Sequence, residues 1–153
     1  MTKLDIAHQR LHNQGLSSHG FKKPGEIVKW LGAVQAQDYH GAKWALGQRT
    51  KSLTDGEIEK AFTDGQIVRT HVMRPTWHFV TPADIRWLLK LTAPRVNAAC
   101  SYYYRKLELD DAVFRRSNKA LAKALQGGRH LTREALRTVI QRAGIGNDDL
   151  LRF

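Results

Sequence analysis

From Ile27 to Val34 the apolar residues Ile27, Leu31 and Val34 fall three and four positions apart, the spacing of one helical face. Pro24, just ahead, suits the first turn of such a helix, where a missing N–H costs nothing. The same face continues to Gln35, four residues after Leu31, where an amide stands in place of an apolar side chain. A buried amide without partners costs roughly 1–3 kcal/mol. Gln37 follows two positions later, and residues two apart on a helix do not face each other. The two amides therefore converge on one site only if the helix ends or tightens near Ala36. A capping or core-edge pair is the plainer alternative.

Elsewhere the pattern predicts mostly helices. Asp5–Gly15 forms a first helix with Ile6, Leu11 and His12 inward, followed by a polar loop from Ser17 to Lys23. After a short break at Asp38–Gly41, Ala42–Arg49 is helical, with Trp44, Ala45 and Gln48 in the periodic positions. Thr54 and Glu57 have capping-box spacing ahead of Ile58 and Phe62, and that helix ends near Asp64-Gly65. A further helix opens at Thr81-Pro82-Ala83-Asp84 and runs to Leu91. Pro94 breaks or kinks it near Thr92 or Ala93, and Val96–Lys106 is of mixed character. Asp110-Asp111 starts a helix through Phe114, Leu121 and Leu125 to Gly127-Gly128. Thr132 caps another over Glu134–Arg142, closed by Gly144.

Between Ile67 and Val80 the period changes from 3.6 to 2, the mark of strands. Two strands turn around Arg74-Pro75. With an even number of loop residues, Val68, Thr70, Val72, Trp77 and Phe79 share an apolar face. Arg69, His71, Met73, Thr76, His78 and Val80 then share a polar, basic one, as in a half-solvated antiparallel ribbon. Helices followed by a two-stranded ribbon make the winged variant of the helix-turn-helix. The expected fold is mainly α with a small antiparallel β-hairpin. Residues 112–153 repeat the helix, turn, helix, turn order. The expectation is a tandem arrangement: a first winged helix over 1–82, a connecting helical segment over 83–111, and the start of a second, truncated winged helix over 112–153. The apolar-rich end, Asp149-Leu150-Leu151-Arg152-Phe153, suggests that the chain stops inside an element of a longer protein.

A hydrophobic content of 42% in 153 residues supports a real core. Twenty-five Lys and Arg against fourteen Asp and Glu give a net charge of +11 and a pI near 10.2. That excess points to an anionic partner, nucleic acid or a membrane surface. No apolar run approaches the ~20 residues of a membrane span, and the N-terminus has no signal-peptide core. A single cysteine, Cys100, excludes an internal disulfide framework and a cysteine-rich zinc site. These features suit a cytoplasmic protein.

Candidate chemistry is sparse. None of the seven histidines has zinc-ligand spacing with a second histidine or cysteine, so no metal or other cofactor is expected. His71 and His78, read as cross-strand neighbours on the polar ribbon face, suit phosphate or groove contact. Ser17 and Ser18 lack a nucleophile-elbow pattern. Asp38 is either an acid or base beside Gln37 or the cap of the following helix. Trp30, Trp44, Trp77 and Trp87 lie on apolar faces and are expected in the core. No P-loop or dinucleotide glycine pattern is present.

The Gln35-Ala36-Gln37 segment, the helix Ala42–Arg49, and the ribbon Val68-Arg69-Thr70-His71-Val72-Met73-Arg74-Pro75-Thr76-Trp77-His78 followed by Asp84 together resemble the AlkZ-like family of winged-helix DNA glycosylases. The resemblance spans nearly the whole chain, from about residue 6. Those proteins excise N7-alkylated purines and unhook interstrand crosslinks. The resemblance implies that Gln35 and Gln37 position the attacking water, and that the ribbon from Met73 to His78 lies against the minor groove. A Gln-ended pair is similar to enzymes that protect producers of DNA-alkylating natural products. The chain departs from the family pattern at Pro75, where glycine is common, and at Trp77, where a smaller apolar residue is common. The expected contacts with double-stranded DNA are Lys43, Arg49, Arg69, His71, Met73, Arg74, Thr76 and His78, made by a monomer. The competing expectation is a winged-helix regulator without chemistry, reading DNA through Lys43 and Arg49.

Overall fold

A computed structural model describes residues 2–17, 20–73 and 76–146. The expectations placed on Arg74-Pro75 and on Asp149–Phe153 lie outside the described residues. Two compact units divide the chain, Met1–Val96 and Asn97–Phe153.

In the first unit, helices α1 (Lys3–Asn13), α2 (Pro24–Leu31), α3 (Tyr39–Gly47) and α4 (Asp55–Thr63) accompany strands β1 (Val34–Gln35), β2 (Val68–His71) and β3 (Trp77–Val80). The strands form one antiparallel sheet in the order β1-β3-β2. This succession of helix, strand, two helices and two strands is that of a winged helix, and the fold is mainly α. Local capping signals act as read: Thr54 accepts from Glu57 N and the Glu57 carboxylate accepts from Thr54 N. Pro24 stands in the first turn of α2, with the Glu26 carboxylate accepting the N–H groups of Lys22 and Lys23.

The main core joins Ile27 and Val28 of α2, Leu46 of α3, Ile58 of α4, Ile67, and Phe79 of β3. Phe79 is wholly buried in a triangle of rings, with Tyr39 at 5.8 Å and Phe62 at 6.2 Å. Val72, Val80 and Leu88 make a second cluster with Ala33, Val68 and Ile85 on the other side of the sheet. Both faces of β3 are therefore covered, and the half-solvated ribbon is corrected. The register explains why. Thr70 pairs with His78 and His71 with Trp77, leaving five residues, 72–76, in the loop. An odd loop exchanges the faces assigned to the return strand. Arg69, His71, Trp77 and Phe79 share one face, and Val68, Thr70, His78 and Val80 the other. His71 and His78 are thus on opposite faces, and His78 is buried.

Two other expectations are corrected. α1 has no buried residue, and Ile6 and Leu11 are exposed. All four tryptophans are exposed, Trp44 by 69% and Trp30 by 61%. The inner face of α3 is Ala42, Lys43 and Leu46, and that of α2 includes Ile27 and Val28; the indoles fall outside both arcs.

Helix α5 (Ile85–Lys106) runs through Pro94 without the expected break. Proline there forfeits one bond, to the carbonyl of Lys90. The Thr92 hydroxyl donates to the carbonyls of Leu88 and Val72, holding this turn to the ribbon. In the second unit, α6 (Asp111–Ala124) and α7 (Arg133–Arg142) pack around Leu109, Ile140 and Ile145, with Tyr104 edge-on to Phe114 at 5.2 Å. Asp110 and Thr132 cap these helices as read.

Helix α2 stops at Gly32, which adopts φ +75°. An added Cβ would meet nothing within 4 Å, so the cost of a side chain there is conformational alone. Gly32→Ala is expected to lower unfolding free energy by about 1 kcal/mol, measured by denaturant titration.

Candidate active site

Because α2 ends at Gly32, Gln35 does not continue its inner face. Extended backbone replaces the helix. Val34 pairs with Phe79 and Gln35 with His78, and the Ala36 N–H donates to the Trp77 carbonyl at 2.7 Å. Successive side chains of extended chain alternate sides. Ala36 is accordingly buried in the core, while Gln35 and Gln37 are both exposed. Gln35 and Gln37, which flank the buried Ala36 in sequence, thus both reach the surface. The expectation carried the helix through Gln35 and ended it near Ala36; the structure ends it at Leu31, five residues before Ala36.

Gln37 is the anchored member. Its Oε1 accepts the backbone N–H of Trp77 at 3.2 Å. That bond fixes which end of the amide faces the strand, and leaves one Oε1 lone pair and the Nε2 donors available. Among the described residues, the Gln35 amide has no hydrogen-bond partner. Asp38 stands at the N-cap of α3 but makes no side-chain cap bond; its carboxylate lies against Gly41.

Arg69, on the far strand of the sheet, reaches across β3 to this segment. Its Nε donates to the Ala36 carbonyl at 2.9 Å and its Nη2 to the Gln37 carbonyl at 3.3 Å. The guanidinium lies 4.8 Å from the Trp77 ring centre and 5.5 Å from that of Tyr39. The Tyr39 hydroxyl in turn donates to the Glu59 carboxylate at 2.9 Å. Burial, then the bond to Glu59, raises the Tyr39 pKa above its ordinary value.

Lys43, on the inner face of α3, is 4% exposed and bonded to Asp55 at 2.9 Å and Glu59 at 2.8 Å. Hydrogen bonds to Glu59 and Asp55 hold its ammonium charged well above the usual lysine range. The same contact, with the Tyr39 hydroxyl, pulls the Glu59 pKa down. Arg49 donates to the carbonyls of Gln14 and Ala45 at 2.8 and 2.6 Å, tying α3 to the end of α1.

The ribbon residues are placed differently from one another. His71 is exposed, edge-on to the Trp77 ring at 4.1 Å. Burial, then the neighbouring His78 and Arg69, lowers its pKa, so the ring is neutral near pH 7. Met73 is exposed, and Thr76 half-buried. The supporting set of Tyr39, Glu59 and Asp55 was not singled out from the sequence. Their partners lie 12 to 20 residues away with no local signal linking them.

Among the described residues, no group of three or more His, Cys, Asp or Glu side chains could hold a metal ion, and no helix is long and apolar enough to cross a membrane. Neither the curated proteins nor the solved structures provide a match to the chain. A family model described as DNA glycosylase AlkZ-like matches residues 28–149, which span the amide pair, the sheet and the helices that follow, and the chain belongs to that family.

Proposed function

We propose that the protein hydrolyses the N-glycosidic bond of N7-alkylated purines, including those held in interstrand crosslinks, with Gln35 and Gln37 aiming the attacking water. The observation that carries this reading is the Gln35-Ala36-Gln37 segment at the end of β1, with both amides exposed and Gln37 pinned to the ribbon at Trp77 N. Alkylation at N7 makes the purine cationic and weakens its bond to the sugar. The water oxygen bonds to C1′ as the C1′–N9 bond breaks. The electron pair leaves with the purine, which becomes neutral, and the water proton passes to solvent. The transition state is oxocarbenium-like, so a well-placed water and electrostatic fit do more than a strong base. A neutral amide can accept one water O–H without adding charge beside the cation.

Charge placement supports a DNA partner. Arg115, Lys119 and Lys123 recur every four residues on the exposed side of α6, with Arg116 beside them, a row suited to a phosphate backbone. At the ribbon we assign groove contact to His71, Met73, Thr76 and Arg74. Lys43, Arg49 and His78 are left out, because the first two are spent on bonds inside the fold and the third is buried. We assign the chain to a tandem arrangement acting as a monomer.

The regulator reading is disfavoured by α4. It follows α3 and precedes the ribbon, the place of the reading helix in a helix-turn-helix. It carries Asp55, Glu57 and Glu59, with Asp64 at its end, and its only lysine, Lys60, is paired to Asp64 at 2.8 Å. An anionic helix repels the backbone that a reading helix must approach. The test is incubation with duplex DNA containing N7-methylguanine and with an N7-crosslinked duplex, scored for abasic sites. Abasic sites in either are the expected result; sequence-selective binding without base release would favour the regulator.

A further inference from the structure

We infer that Arg69 is a positioning residue for the Gln37 amide rather than a contact to DNA. This rests on the proposed role of Gln37 and deepens it. Strand β1 is only two residues long, and its pairing ends with the Ala36 N–H bond to Trp77. Beyond that point the ladder no longer holds the chain, yet Gln37 must keep its side chain on the Trp77 N–H. The carbonyls of Ala36 and Gln37 need donors, and the planar fork of one guanidinium supplies both. Arg69 comes from β2, so a single side chain ties the outer strand on one edge to the end of the strand on the other.

The guanidinium is itself held in place. The Trp77 and Tyr39 rings flank it, and Tyr39 is fixed by its hydroxyl on Glu59. Glu59 also binds the buried Lys43, whose Nζ lies 5.1 Å from the Tyr39 ring centre. The chain of contacts Lys43, Glu59, Tyr39, Arg69, Gln37 gives the acidic α4 a task within the fold: it anchors the clamp behind the water-aiming amide. A lysine could keep the positive charge between the rings but could not bond both carbonyls with the fork geometry.

The experiment compares Arg69→Lys, Arg69→Met and Gln37→Ala in single-turnover excision from the alkylated duplex, with duplex affinity measured across a salt series. Amide hydrogen exchange at Trp77 is followed in parallel without DNA. Arg69→Lys is expected to keep its affinity and the slope of log affinity against log salt, and to lose at least about tenfold in rate. Its Trp77 amide exchanges faster, since the acceptor Gln37 Oε1 has drifted. If Arg69→Met fails to fold, the lysine variant alone carries the test. Full rate and unchanged Trp77 protection in Arg69→Lys overturn the inference. So does a salt slope smaller by about 0.9 in Arg69→Met, the loss of one phosphate contact. If Gln37→Ala also keeps full rate, the proposed function fails and not this inference alone.

Discussion

Replacing Gln37 by alanine is expected to slow single-turnover base excision by about 10²–10³-fold, the usual cost of removing one aimed hydrogen-bonding group from a polar transition state. Duplex affinity is expected to hold within about twofold, because the amide contributes to the transition state and not to the phosphate contacts. Gln37 is exposed and is not part of the buried core, so the fold survives the truncation. The Trp77 N–H loses its acceptor but lies at the exposed end of β3, where water replaces it. Gln37→Glu is a sharper probe. A carboxylate keeps an acceptor for the Trp77 N–H and for the water, gives up the Nε2 donors and adds a negative charge. It is expected to retain more activity than the alanine variant. Equal loss in both would mean that the donors or the neutrality of the amide, not the acceptor, carry the effect. Gln35 has no anchor among the described residues, and Gln35→Ala is expected to cost less than Gln37→Ala.

The second large effect is on stability. Lys43→Met removes the buried ammonium that two carboxylates face. Methionine fills the stem but leaves Glu59 and Asp55 without their cation. Both carboxylates reach solvent, Asp55 at 72% and Glu59 at 45% exposure, so water replaces part of what the ammonium gave them. A fall in Tm on the order of 5 °C is expected by calorimetry for a unit of this size. Duplex affinity and its salt slope are expected to stay unchanged in the folded fraction, because the ammonium does not reach solvent.

The same cluster sets a pH window. The Glu59 pKa is depressed in the fold from an ordinary 4.5, so its contribution is present above that value and is lost as pH falls through the folded pKa. The Lys43 pKa is raised from an ordinary 10.5, so its contribution is present below that value and is lost as pH rises through the folded pKa. Stability from this pair is therefore flat across the neutral range. In Lys43→Met the acid unfolding midpoint is expected to move to higher pH, since Glu59 is no longer depressed by an ammonium. A midpoint that does not move would remove Lys43 as the cause of the depression.

What could be read along the chain was local. Caps at Thr54, Asp110 and Thr132 act within one turn, and glycines at 65 and 144 end helices by a backbone conformation that side chains resist. Those signals need no knowledge of distant residues. The misread positions depend on partners far along the chain. Gln35 is in a strand because β3, more than 40 residues later, supplies the ladder. Hydrophobic spacing alone continued α2 through it. The face assignment of β3 turned on whether the loop holds an even or odd number of residues, and strand limits cannot be placed that finely from alternation. Trp44 looked like core because it shares a periodic face with Ala45 and Gln48, yet the arc of α3 that packs inward is set by Ala42, Lys43 and Leu46. Lys43 looked like a DNA contact because it is a basic residue on the short helix Ala42–Arg49. Its partners, Asp55 and Glu59, arrive only when α4 folds back on α3. The two amides could be singled out from the sequence, but the strand pairing that takes Gln35 out of the helical face could not.

The central claim is that two neutral amides on an extended segment aim water at the sugar of an alkylated nucleotide. The most direct measurement is abasic-site formation under single-turnover conditions in an N7-methylguanine duplex and an N7-crosslinked duplex, comparing the protein with its Gln35→Ala, Gln37→Ala double variant. The account predicts base release from at least one substrate by the protein, and a drop of about 10³-fold or more in the double variant with binding intact. Release at the same rate by both proteins, or release from neither duplex by the unaltered protein, would contradict it.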